Sequence, residues 1–143
     1  MMNSPTRSLF LAQWFLRVAL AASYLSAVAD RFGMWGSPGE PGVAWGAWGP
    51  FIEYVALLNW FAPAALHGPL GWIATIAEVI IAIGLLIGWK LRWFANASGG
   101  LLLVFAITMS IATGIKSPLD YSVFTAAAAS FLLASLPSRD ATE

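Results

Sequence analysis

The sequence predicts an all-α integral membrane protein, a four-helix bundle with a short interfacial helix between its first and second spans. Three observations predict it. Of 143 residues, 59% are hydrophobic and 10% charged, with a mean hydropathy of +0.77, whereas a soluble domain is about a quarter charged. Four apolar runs, near 9–31, 70–89, 93–114 and 118–136, approach or exceed the roughly 20 residues that cross a bilayer's hydrocarbon. The third observation is one carboxylate, Glu78, near the middle of the run GWIATIAEVIIAIGLLIGW at 71–89. An ionisable group at that depth costs about 2.5–3.5 kcal/mol on insertion scales, so its helix turns it toward the bundle or a wet cavity.

Composition also excludes functions. The net charge is zero, so the chain lacks the basic footprint of a nucleic-acid binder. Without cysteine there is no disulfide, iron–sulfur or thiol chemistry. The single histidine, His67, cannot build a bis-histidine haem site or a histidine-based zinc centre, and no metal site is expected. All of 1–143 reads as one domain with no internal repeat.

The first span, 9–31, could be confused with a secretory signal because Ala27-Val28-Ala29 resembles a cleavage site. Arg17 interrupts the region that should be apolar, and the run is longer than a signal needs, so the segment is expected to stay. Gln13, Arg17, Tyr24 and Arg31 are spaced by four, seven and seven and share one helix face. Ser23, Ser26 and Asp30 lie on a neighbouring face. These stripes either line a site or only hold helices together.

The segment 33–69 is an outer loop followed by a short helix. Its first half is rich in glycine, proline and tryptophan, and Trp35, Trp45 and Trp48 suit a membrane-interface belt. The stretch FIEYVALLNWF at 51–61 reads as a helix too short to span, stopped by Pro63, lying in the interface or capping the bundle. His67, beside Gly68-Pro69, reads as a loop histidine. Glu40 and Glu53 read as solvated.

On the Glu78 face of the second span, Gly71, Ala74, Thr75 and Ala82 allow another helix to come close. Gly84 and Gly88 offer a second close-packing surface. Lys90 and Arg92 form a basic turn. The third span, 93–114, carries Asn96, Ser98, Thr108, Ser110 and Thr113, which a bundle can satisfy internally. Lys116 is expected at its negative end. The fourth begins at Ser117-Pro118-Leu119-Asp120, which fits a capped helix start with proline at the first position.

Four spans put both termini on one side, with Arg7, Lys90, Arg92 and Arg139. The other side holds Arg31 and Lys116. Positive charge collects on the cytoplasmic face, so both termini are expected in the cytoplasm and the loop outside.

Two groups of side chains are candidates for ligand binding or proton transfer. Arg17 and Glu78 stand about 12 and 16 Å from the cytoplasmic ends of their helices at roughly 1.5 Å per residue, and a buried ion pair between them is expected. Against it, side chains lean toward their own helix's N-terminus, which sends these two apart. The alternative has Arg17 reaching the cytoplasmic surface and Glu78 neutral or hydrogen-bonded. The second group is Asp30, Arg31, Lys116, Asp120 and Tyr121, expected at the outer end as a polar pocket under the tryptophans or as a solvated rim. No residue is assigned a catalytic role.

The chain resembles the DoxX family of small four-helix bacterial membrane proteins. The likeness rests on FLRVALAASYLSAVADRFG, AEVIIAIGLLIGWKLRW and SPLDYSVFTAAAASFLL, with Arg17, Glu78 and Gly84 matching the family pattern, and it covers about 9–136. The resemblance implies a bacterial inner-membrane protein, a subunit without its own cofactor in a membrane redox complex. Such a subunit would bind a quinone or another apolar small molecule, or anchor a protein partner without catalysis. A homo-oligomer is a further possibility it leaves open.

Overall fold

The computed structural model describes residues 4–137. The helices are α1 (Ser4–Arg31), α2 (Trp48–Leu58), α3 (His67–Ile87), α4 (Leu91–Thr113), α5 (Lys116–Asp120) and α6 (Val123–Ser135), with a 3₁₀ turn at Ala64–Leu66 before α3. No strand occurs among the described residues. Three segments are long and apolar enough to cross a membrane: Thr6–Arg31, Ala64–Ile87 and Leu91–Thr113. Arg139, counted above among the cations of one end, lies outside the described residues.

The long helices are amphipathic in the inverted sense that a lipid surround favours. The buried face of α3 carries Gly71, Thr75, Glu78, Ala82 and Leu85, while Ile73, Ile76, Ile80, Ile83 and Ile87 are exposed. The polar and small groups therefore point inward, together with Ile81 and Leu85, and the exposed face is mainly isoleucine, as expected where the outside is hydrocarbon. On α1 the buried positions Arg17, Leu20, Ala21 and Tyr24 follow helical spacing. Ser23 and Ser26, by contrast, are exposed, and Ser23 Oγ donates to the Ala19 carbonyl of its own helix at 2.9 Å. The second polar stripe on α1 is thus not a buried face; only Asp30 of it turns inward.

Helix α1 packs chiefly on α3, and α4 chiefly on α6. Small residues set the approach. A side chain at Gly84 would collide with the Phe94 ring of α4, and one at Gly99 would meet the Phe131 ring of α6 at 2.7 Å. A hydroxyl chain crosses the bundle: Tyr24 Oη meets Ser98 Oγ at 2.9 Å, and Ser98 Oγ meets Ser130 Oγ at 2.9 Å. It joins α1, α4 and α6, and Ser130 Oγ completes it by donating to Ala126 O at 2.9 Å.

Four expectations about elements need correction. The fourth expected span, 118–136, is divided. Helix α5 ends at Asp120, Ser122 takes a left-handed backbone with φ 55°, and α6 has 13 residues, which is short for a bilayer crossing. Lys116 does not close α4: Gly114, with φ 87°, ends that helix and Lys116 opens α5. The short helix α2 begins at Trp48 rather than at residue 51, because Pro50 falls in its first turn, where a missing N–H costs nothing. His67 likewise is the first residue of α3, not a loop residue.

Candidate functional site

The chemistry gathers where the end of α1, the loop after it, α2 and the first half of α3 meet. Arg31 and Glu78 are 3% and 2% exposed, and they form the buried ion pair. Arg31 Nη2 lies 2.7 Å from Glu78 Oε2 and donates to Oε1 at 2.9 Å. The aligned hydrogen bond goes to Oε1, while Oε2 is in ionic contact without hydrogen-bond geometry. Arg31 Nη1 donates to Thr75 Oγ1 at 2.7 Å, and Thr75 passes a hydrogen bond to Gly71 O at 2.8 Å. Arg31 Nε is buried without an acceptor among the described residues.

The expected Arg17–Glu78 pair is therefore not formed, and helix direction explains why. Helices α1 and α3 run antiparallel, and each side chain leans toward its own N-terminus. Arg31 leans from the end of α1 into the bundle, and Glu78 leans toward the start of α3, so the two converge. Arg17, nearer the start of α1, leans the same way as Arg31 and so away from Glu78, reaching the opposite end of α3. There Arg17 Nε donates to Leu85 O at 2.7 Å and Nη2 to Leu86 O at 3.0 Å. These carbonyls belong to the last turn of α3, the negative end of its dipole, where a cation is favourable. The guanidinium also lies 3.9 Å from the centroid of Trp14. Gly88 ends α3 with φ 83°, and a Cβ there would run into the Arg17 guanidinium; glycine is required twice over.

Asp30 and Arg31 divide the work at the end of α1. The Asp30 carboxylate accepts the backbone N–H groups of Ala44 at 2.8 Å, Trp45 at 3.0 Å and Gly46 at 2.7 Å. Its partners come from the outer loop, not from Lys116. This latch holds the loop so that aromatic rings roof Arg31. The Phe51 centroid is 4.0 Å and the Trp45 centroid 5.4 Å from Arg31 Cζ. Trp45 meets Phe51 edge-on, and Trp48 stacks with Phe32 and packs on Trp72 at 4.4 Å. Gly46 fits here because its φ is 70° and a Cβ would meet the Pro38 nitrogen at 2.5 Å.

The remaining candidates are not part of this centre. Lys116 Nζ pairs with Asp120 Oδ2 along α5, with both side chains largely exposed. Tyr121 is 76% exposed. The five residues expected to share an outer pocket thus split into a buried pair, Asp30 and Arg31, and an exposed trio. Tyr24 belongs to the hydroxyl chain further along the bundle. Among the described residues, no group of three His, Asp or Glu side chains is placed to hold a metal.

The tryptophan-rich loop is expected above Arg31 and Trp45 lies there, but the nearer ring, Phe51 of α2, was not expected. Thr75 is expected on the Glu78 face as a small residue, and its role as an acceptor for Arg31 was not expected. The aromatic contacts left no comparable signal, since they depend on how the loop folds back.

Beside this centre lies an apolar groove of about 500 Å³ between α3 and α4, lined by Ala77, Ile80, Ile81, Trp93, Ala97, Gly100, Leu101 and Val104. Neither Glu78 nor Arg31 lines it. Comparison with protein-family models, curated proteins and solved structures finds no match.

Proposed function

We propose that this is a multi-pass membrane subunit of the DoxX type, with no cofactor of its own, that anchors or assembles a partner in a bacterial inner-membrane redox complex. In this reading α6 completes a four-helix bundle with the three longer helices. Arg7, Lys90 and Arg92 at the end where α1 begins support placing that end in the cytoplasm. The observation that carries the functional reading is the closure of the Arg31–Glu78 pair. A carboxylate that takes ligands or protons in the membrane needs a route to them. Glu78 is instead held by Arg31, flanked by Thr75 and roofed by Phe51 and Trp45, so its charge specifies how α1 and α3 pair. The resemblance noted in the sequence supplies the redox setting.

The test replaces both partners at once. Swapping a buried ion pair for apolar residues of similar volume is often neutral or stabilising. Arg31→Met/Glu78→Leu should therefore stay folded and leave quinone-linked respiration of membranes expressing it at the wild-type rate. A folded double variant with lost activity would assign chemistry to the pair and overturn the anchoring reading.

A second reading is binding of a quinone or another apolar small molecule. The groove between α3 and α4 favours it, with a volume within the range of ligand sites. In that case decylubiquinone should raise the melting temperature of the purified protein, and a bulky residue at Ala97 should remove the effect.

A further inference from the structure

We infer that the groove between α3 and α4 and the turn joining them form one binding site for an anionic phospholipid. Its acyl chain lies in the groove, and its phosphate sits at Lys90. This goes beyond anchoring, and it needs only the membrane-spanning architecture.

The groove leads to that turn. Its α4 wall, followed back from Val104 through Leu101 and Ala97 to Trp93, has helical spacing and about 16 Å of length. Three residues before Trp93 stands Lys90, in the left-handed turn that opens α4. A chain lying in the groove has its polar end at this turn, which carries Lys90. The lining is apolar throughout, which suits an alkyl chain. A Cβ at Gly100 would meet nothing within 4 Å, so the space at the groove's midpoint is open.

The charge at the groove's end favours an anion. Lys90 is exposed, and its Nζ lies 4.7 Å from the Trp89 ring centroid. Arg92, also exposed, gives Nε to Ala134 O at 3.2 Å. Arg17 packs against Gly88 just before the turn. No Asp or Glu occurs in residues 4–20, 84–98 or 126–137, the described segments at this end. Trp14, Trp89 and Trp93 stand in the same segments, partly exposed, at the level where indoles mark the headgroup boundary. A basic site between membrane helices is suited to an acidic head group. A neutral occupant would use the groove but not the Lys90 charge at its end.

The full chain, purified in detergent, is titrated with dioleoyl-phosphatidylglycerol, dioleoyl-phosphatidylcholine, decylubiquinone and inorganic phosphate, with binding read by native mass spectrometry and melting temperature. Phosphatidylglycerol should be retained at least about fivefold better than phosphatidylcholine, from one cation near the head group. Lys90→Gln should lose about that factor. Gly100→Leu should melt like wild type without lipid and lose the lipid-induced shift, and phosphate alone should give no shift. Equal retention of the two lipids, an unchanged Lys90→Gln, or a lipid response surviving in Gly100→Leu would each overturn the inference. So would displacement of phosphatidylglycerol by decylubiquinone equally from wild type and Lys90→Gln, which would make the groove a neutral site. A wild-type dimer dispersed by Gly100→Leu would make it a seam between two copies, and likewise overturn the inference.

Discussion

Arg17 and Arg31 stand on the same face of the same helix and do different work. Arg31 is closed into an ion pair with a carboxylate and roofed by aromatic rings. Arg17 gives its hydrogen bonds to two backbone carbonyls at the end of α3. One arginine answers a charge on a side chain, the other answers the partial charge at a helix terminus. Both lean toward the start of α1, so which side of Glu78 each stands on decides the partner it meets. Two arginines facing one helix were free to choose between one carboxylate and one helix end, and antiparallel geometry made the choice.

Removing Glu78 alone should separate the two arginines most strongly. Glu78→Leu leaves Arg31 buried without its carboxylate and should cost about 3–5 kcal/mol, read as unfolding in mixed detergent micelles. The double replacement Arg31→Met/Glu78→Leu should recover most of that loss. A double-mutant cycle between Arg17 and Glu78 should show almost no coupling, and strong coupling there would restore the pairing expected from the sequence.

Asp30→Ala tests the latch beside Arg31. It strands three backbone donors and should cost about 2–3 kcal/mol. Hydrogen exchange at Ala44, Trp45 and Gly46 should speed up, while exchange in the middle of α4 should not. Arg17→Met sharpens the other side of the comparison. With length kept and charge removed, the cost should fall to about 1–2 kcal/mol, with faster exchange confined to the last turn of α3. Equal losses in Arg17→Met and Glu78→Leu would erase the distinction between the two arginines. The smallest effect belongs to the exposed pair on α5. Asp120→Ala should shift stability by under about 0.5 kcal/mol, checked in the same unfolding assay.

The three long helices and the inward turn of Glu78 were legible in the sequence because they depend on length, composition and helical period. The partner of Glu78 was harder. Placing Arg31 at the last residue of α1 suggests a group outside the membrane, yet a long side chain that leans inward reaches Thr75 and Glu78. The acceptor role of Asp30 was hidden for another reason. Its partners are backbone N–H groups, which every residue but proline carries, so no residue type announces them. The break between α5 and α6 was equally silent, since the left-handed residue is Ser122 rather than a glycine. A favourable helix start at Ser117-Pro118 says nothing about where that helix stops.

The ion pair between α1 and α3 joins residues 47 apart in the chain. During synthesis α1 leaves the ribosome while the segment bearing its counter-charge is still unmade. Until then Arg31 has no Glu78 to meet and Arg17 no helix end to hold. The polar contacts that join α1 to α3 therefore form only once both helices are present, however early the first is made.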